Sequence, residues 1–136
     1  MKSRQFNLFT LAIFLFIVTL TTTQCHAFDI EIDVSPNVLN IQSNSSIVTV
    51  HTDIAYSIVV GASVFLNGVA IDWWKSDDRG NFVAKFESDE IKRLDGLIMG
   101  DYNELILNGF TTGGEAFIGA QDIMVIDNLP EGARGK

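Results

Sequence analysis

His51 is the only histidine beyond residue 27, and Asp53 follows it two places on. On a strand those two side chains share one face, which is the start of a serine–histidine–aspartate relay. Such a relay also needs a serine activated by the imidazole and a set of oxyanion donors. No G-x-S-x-G or comparable turn is present, so His51 reads as an exposed strand histidine and no catalytic residue is assigned. Paired carboxylates are the second route to chemistry, because two of them flanking a bond can act as acid and base. The chain has seventeen acidic residues, so some pair always falls at a suitable distance. Most lie in turns or on outward strand positions, where a solvated surface is the preferred reading.

Two further groups suit binding better than catalysis. Asp77-Asp78-Arg79-Gly80-Asn81 has the glycine of a calcium loop, but that loop needs oxygen ligands at alternating positions, and Arg79 puts a positive charge at one of them. A plain polar turn is preferred there, with calcium near Asp77, Asp78 and Asn81 left open; no metal or cofactor is assigned. Trp73-Trp74 is the most informative local feature. Adjacent strand residues face opposite ways, so one indole can enter the core while the other stays at the surface to stack on a sugar ring or anchor a protein. Gly113-Gly114 falls in a hairpin turn and is not a phosphate cradle. Asn44-Ser45-Ser46 matches a glycosylation sequon that matters only in a eukaryotic host.

The compartment is read from the N-terminus. Lys2 and Arg4, the apolar run Leu8 to Leu20, and Cys25-His26-Ala27 form the three regions of a signal peptide covering residues 1–27. The run is too short to span a bilayer, so no stable membrane insertion is expected after cleavage. Removal of 27 of the 136 residues leaves 109, enough for one domain. Lys2, Arg4 and the only cysteine leave with the signal, so the rest has seven basic and seventeen acidic residues, a net charge of −10. That charge disfavours nucleic acid and anionic lipid. The expected location is secreted or periplasmic, with stability from packed apolar surface and no disulfide.

The elements that position these residues read as strands. Phe28, Ile30, Ile32 and Val34 alternate with Asp29, Glu31 and Asp33, which predicts one half-buried strand. Val38 to Ile41 reads as a short continuation, Ile47 to Thr52 as a β-branched strand, and Tyr56 to Leu66 as extended chain. Asn67-Gly68 before Val69 to Ile71 is a strong hairpin signal. Lys75 to Asn81 reads as a loop, and Phe82 to Phe86 as a strand. Ser88 to Leu94 is predicted as one helical turn capped by Ser88 and stopped by Gly96, with Ile91 and Leu94 inward. Tyr102 to Phe110 and Glu115 to Asp127 form the final hairpin, and 128–136 a flexible tail. The sum is an all-β domain over residues 28–127, a β-sandwich of about seven strands with one helical crossover. Tyr102 stands where immunoglobulin-like sandwiches place a structural corner tyrosine.

Pro36 to Ile41, V-F-L-N-G at Val64 to Gly68, N-F-V-A-K-F at Asn81 to Phe86 and the final hairpin resemble a module of exported bacterial proteins, found alone or attached to larger surface and secreted proteins. The resemblance spans nearly all of residues 28–127 and implies an immunoglobulin-like β-sandwich of undefined biochemical role. Relatives of this kind often carry an aspartate-rich segment before the Asn81 to Phe86 strand, which here is reduced to Asp77 to Asn81. The expected function is a non-catalytic exported structural or binding module with an unknown protein or glycan partner. The alternatives are a carbohydrate-binding or calcium-dependent adhesion module using Trp73 or Trp74, and an assembly subunit that donates the Phe28 to Val34 strand.

Overall fold

The computed structural model describes residues 26–44 and 46–128. The expected signal segment, with Cys25, and the expected C-terminal tail lie outside the described residues apart from His26, Ala27 and Asn128. The strands are β1 (Phe28–Asp29), β2 (Ile32–Ser35), β3 (Val38–Asn40), β4 (Ile47–Ala55), β5 (Phe65–Leu66), β6 (Val69–Ala70), β7 (Trp73–Ser76), β8 (Asn81–Glu87), β9 (Asp101–Phe110) and β10 (Ala116–Ile126). A helix, α1 (Ser88–Lys92), lies between β8 and β9. The class is all-β. One sheet has the order β1-β10-β9-β5-β6, with β3 also on β10, and the other the order β2-β4-β8-β7.

A single apolar cluster takes side chains from both sheets. Val34, Val50, Phe82 and Phe86 come from the β2–β7 sheet, and Leu39, Leu105, Leu107, Phe117 and Val125 from the other. Each is buried almost completely, so each adds to stability roughly in proportion to its apolar area, about 25 cal/mol per Å². Ile91 of α1 seals the same cluster.

The acidic alternation at the N-terminus is real, but it is not one strand. Phe28 and Asp29 run parallel to β10, whereas Ile32 to Ser35 pair antiparallel with β4 in the other sheet. The chain crosses between the sheets at Ile30 and Glu31, where the Ile30 N–H still donates to the Ile118 carbonyl and the Glu31 N–H donates to the Asp53 carboxylate at 2.9 Å. Alternation survives the crossing because both halves face the same core. Gly119 on β10 makes room for it: a Cβ there would lie 2.6 Å from Ile32 Cγ2 and 3.0 Å from the Ile30 carbonyl oxygen. Gly119→Val is therefore expected to destabilise by about 1–3 kcal/mol through overpacking, read from the urea midpoint. Gln121 ties the sheets together from the same strand, its Oε1 accepting the Val34 N–H at 2.8 Å. The segment expected as a donated strand is thus paired within its own chain.

Other local departures have simple causes. Tyr56 to Leu66 is not extended throughout: two short 3-10 turns, Tyr56–Ile58 and Gly61–Ser63, carry the chain from one sheet to the other. Lys75 and Ser76, expected in a loop, extend the Trp73 strand against β8. Ser88 does not cap α1; it is the first helical residue, is buried, and its N–H donates to the Ser46 carbonyl, while Glu87 takes the cap position. Asn128 is not loose either, since the Asn40 side chain accepts its N–H at 3.2 Å and donates to its carbonyl at 2.8 Å. The Asn67-Gly68 turn is as expected, with φ of 47° and 83°, the positive pair that a type I′ hairpin needs.

Candidate functional site

The β4–β8 face that points away from the core holds His51 and Trp73, two of the residues first considered for chemistry. Paired residues across antiparallel strands point to one side, so Asp33, His51, Val83 and Lys75 form one row, and Ser35, Thr49, Lys85 and Trp73 the next. His51 is exposed, and among the described residues no hydrogen bond joins it to a serine or a carboxylate. A register shift between His51 and Ala55 bends β4, and the buried Thr52 hydroxyl donates to the Phe82 carbonyl at 2.6 Å within it. Asp53 is thereby swung toward Glu31. Its carboxylate accepts a backbone N–H and is not part of a relay.

The bend opens a groove of about 490 Å³ lined by Glu31, Asp33, His51, Asp53, Asp77 and Arg79, among others. Two of its carboxylates, Asp53 and Asp77, are engaged in shaping the backbone. Asp77 Oδ1 accepts the N–H of Arg79 at 2.8 Å and of Asn81 at 2.9 Å, closing the β7–β8 hairpin. The Asp77 to Asn81 segment is therefore a polar turn held by its own first residue. Among the described residues no three of the His, Cys, Asp and Glu side chains are grouped to hold a metal ion.

The Asn81 N–H holds the Asp77 carboxyl below its ordinary value; burial opposes the shift, and the Arg79 N–H and the charges of Arg79 and His51 reinforce it. A carboxyl lowered by folding stabilises the protein fully above its unfolded value, about 4, and the contribution is lost as pH falls through the lower folded value. The stability gap between the native chain and Asp77→Ala is accordingly expected to be constant near neutral pH and to narrow below about pH 4. Urea denaturation at a series of pH values measures it; a gap independent of pH would show that the charge contributes nothing.

Both tryptophans are more exposed than the one-in, one-out expectation. Trp73 points outward and is 45% exposed, with the Lys85 ammonium 5.5 Å from its ring centroid. The same ammonium donates to the Thr49 hydroxyl at 2.7 Å. Burial, with the nearby Lys75 charge second, pushes the Lys85 pKa down. Trp74, on the inward side of an edge strand, is 38% exposed and lies over the backbone of Gly61, where an added Cβ would collide with the indole. Trp74 thus covers the end of the core, and Trp73 alone presents an indole on the outward face.

Tyr102 is 62% exposed at the start of β9, and its hydroxyl bonds to none of the described residues. The corner is held instead by Asn103, whose Oδ1 accepts the Ile98 N–H at 2.7 Å while Nδ2 donates to the carbonyls of Ile98 and Asp101. The short amide reaches the loop backbone from an inward-facing position, which an outward tyrosine cannot do.

A second surface feature lies on the opposite sheet. Register places Phe65 with Asn108, Asn108 with Ile118, Phe110 with Ala116, Ile106 with Ala120, and Tyr102 with Met124 and Val38, all on the face away from the core. Phe65, Phe110 and Val38 are 40%, 49% and 45% exposed. Phe65, Phe110, Ala116 and Ile118, together with Ala27, line a shallow hollow of about 270 Å³. A sheet with one face on the core ordinarily alternates apolar and polar, and this outer face departs from that pattern. Its sequence signal is the unbroken apolar runs Leu105-Ile106-Leu107 and Ile123 to Ile126, which fit a strand covered on both faces.

Fold and site together define an all-β, two-sheet protein with an acidic groove on one side and an apolar face on the other. No protein-family model, no curated protein and no solved structure matches the chain. Among the described residues no helix is long and apolar enough to cross a membrane.

Proposed function

We propose that the chain is an exported, non-catalytic module with an immunoglobulin-like sandwich fold, which works by holding a protein partner on the outer face of β9 and β10. The single observation that carries this reading is the apolar face itself, with Phe65, Phe110 and Val38 left in water. The engagement of Asp53 and Asp77 in backbone hydrogen bonds gives these two carboxylates a structural role. Export rests on the N-terminal charge and hydropathy pattern, and the sandwich assignment on the two sheets and the sheet-changing N-terminal segment. The experiment is titration of the purified protein with amphipathic model peptides, comparing the native face with one carrying Phe65→Ser and Phe110→Ser.

A second reading has its own observation. Trp73 stands exposed beside Lys85 and Thr49, an indole with polar groups in reach, which suits a sugar ring. A glycan array read by tryptophan fluorescence tests it: binding lost on Trp73→Ala would favour carbohydrate over protein, and no binding would retire the idea.

A further inference from the structure

The apolar face of β9 and β10 is interrupted by one pair of charges. Glu104 and Asp122 stand directly opposite each other across the two strands, both exposed and both pointing away from the core. Like charges placed so are mutually destabilising, and an isolated charge carried into an apolar contact without a counterion is costly. On one side of the pair lie Ile106 and Ala120, on the other Tyr102 and Met124. Among the described residues nothing neutralises it from nearby. The basic side chains among the described residues are Lys75, Arg79, Lys85, Lys92 and Arg93, and they sit on β7, β8, the turn between these strands, and α1 with the residue after it.

We infer that the partner is a protein surface presenting a lysine or arginine within an apolar surround, seated so that its cation lies between Glu104 and Asp122. This rests on the binding reading above. A partner with the cation removes the repulsion and satisfies both carboxylates as the contact closes. A partner that is apolar alone must desolvate the pair unpaired, and an acidic one is repelled, so the pair serves selection as well as attraction. A second copy of this chain is disfavoured by the same argument. Stacked face to face, two copies bring four carboxylates together with no basic residue among the described residues of either face.

The test uses the protein purified from cells expressing the full chain, and an array of fluorescent amphipathic nonapeptides. Apolar residues recur at every second position or at every third and fourth, and the central residue is lysine, norleucine or glutamate. On the native protein the lysine peptides are expected to bind about tenfold tighter than their norleucine counterparts, with the glutamate peptides weakest. In Glu104→Gln with Asp122→Asn the preference should fall to within about twofold, because the cation loses its partners while the norleucine peptide no longer buries charge. These exposed substitutions leave the core untouched, and thermal melting confirms the fold. Equal binding of lysine and norleucine peptides by the native protein overturns this inference while leaving the face as a binding surface. Absence of binding by every peptide, or binding that survives Phe65→Ser with Phe110→Ser, overturns the face reading itself. A dimer whose dissociation is needed before peptides bind, or binding seen only once residues 1–27 are removed, would assign the face to a second copy or to the chain's own N-terminal segment and overturn the inference.

Discussion

Phe117→Ala is expected to destabilise the protein by about 3–5 kcal/mol, the cost of deleting a buried phenylalanine from a site that cannot collapse. Phe117 has no exposed surface, and its ring meets Phe28 with centroids 6.2 Å apart. The opposing wall is the bare backbone of Gly109, where a Cβ would lie 2.6 Å from the Phe117 ring, so the cavity is already shaped to the phenyl group. Collapse is hindered because β10 is held on one edge by β9 and on the other by β1 at this very residue. Domains of this size have about 5–15 kcal/mol of stability, so the urea midpoint should fall by about a fifth or more. A loss under about 1 kcal/mol would mean that the ring is not the keystone of the packing between β1, β9 and β10.

Phe65→Ser with Phe110→Ser gives the opposite pairing of effects. The rings are 40% and 49% exposed, so the stability cost should stay well below that of Phe117→Ala and the protein should become more soluble. Peptide binding, by contrast, should weaken on the order of a hundredfold or more, because aromatic anchors at the centre of a contact carry about 2 kcal/mol each. The combination separates a functional face from a structural one. Side chains that merely cover the core would lose stability on removal; side chains kept for a partner would lose only the partner.

Much of this arrangement is legible in the sequence where local chemistry decides it. Asn67-Gly68 and the Thr111 to Gly114 turn fix two hairpins by backbone preference alone, and the long run from Asp101 to Ile126 folds as the expected pair of strands. The split of Phe28 to Val34 is not legible, because side chains alternate identically whether one strand continues or the chain changes sheets. Only Gly119 and Gln121, more than eighty residues away, distinguish the two. The Tyr102 expectation fails for a related reason: a corner needs a side chain that turns back on its own loop, and the next residue, Asn103, is the one facing that way. Trp73 and Trp74 do face opposite ways, but a strand at the edge of its sheet leaves the inward indole open at its rim. The proposed binding face is written in the sequence as continuous apolar runs, yet the same runs describe a strand buried on both sides. The sheet order is needed to show that one of those sides is bare.

The central claim, that the outer face of β9 and β10 is where a partner sits, is tested most directly by mapping amide chemical shifts of the isotope-labelled protein during titration with the lysine-bearing peptide. Shifts centred on Glu104 and Asp122 and their neighbours Tyr102, Ile106, Ala120 and Met124, and extending to Phe65, Asn108, Phe110, Ala116 and Ile118, are the predicted result. Shifts confined to Trp73, Lys85 and the Asp77 to Asn81 turn would contradict it.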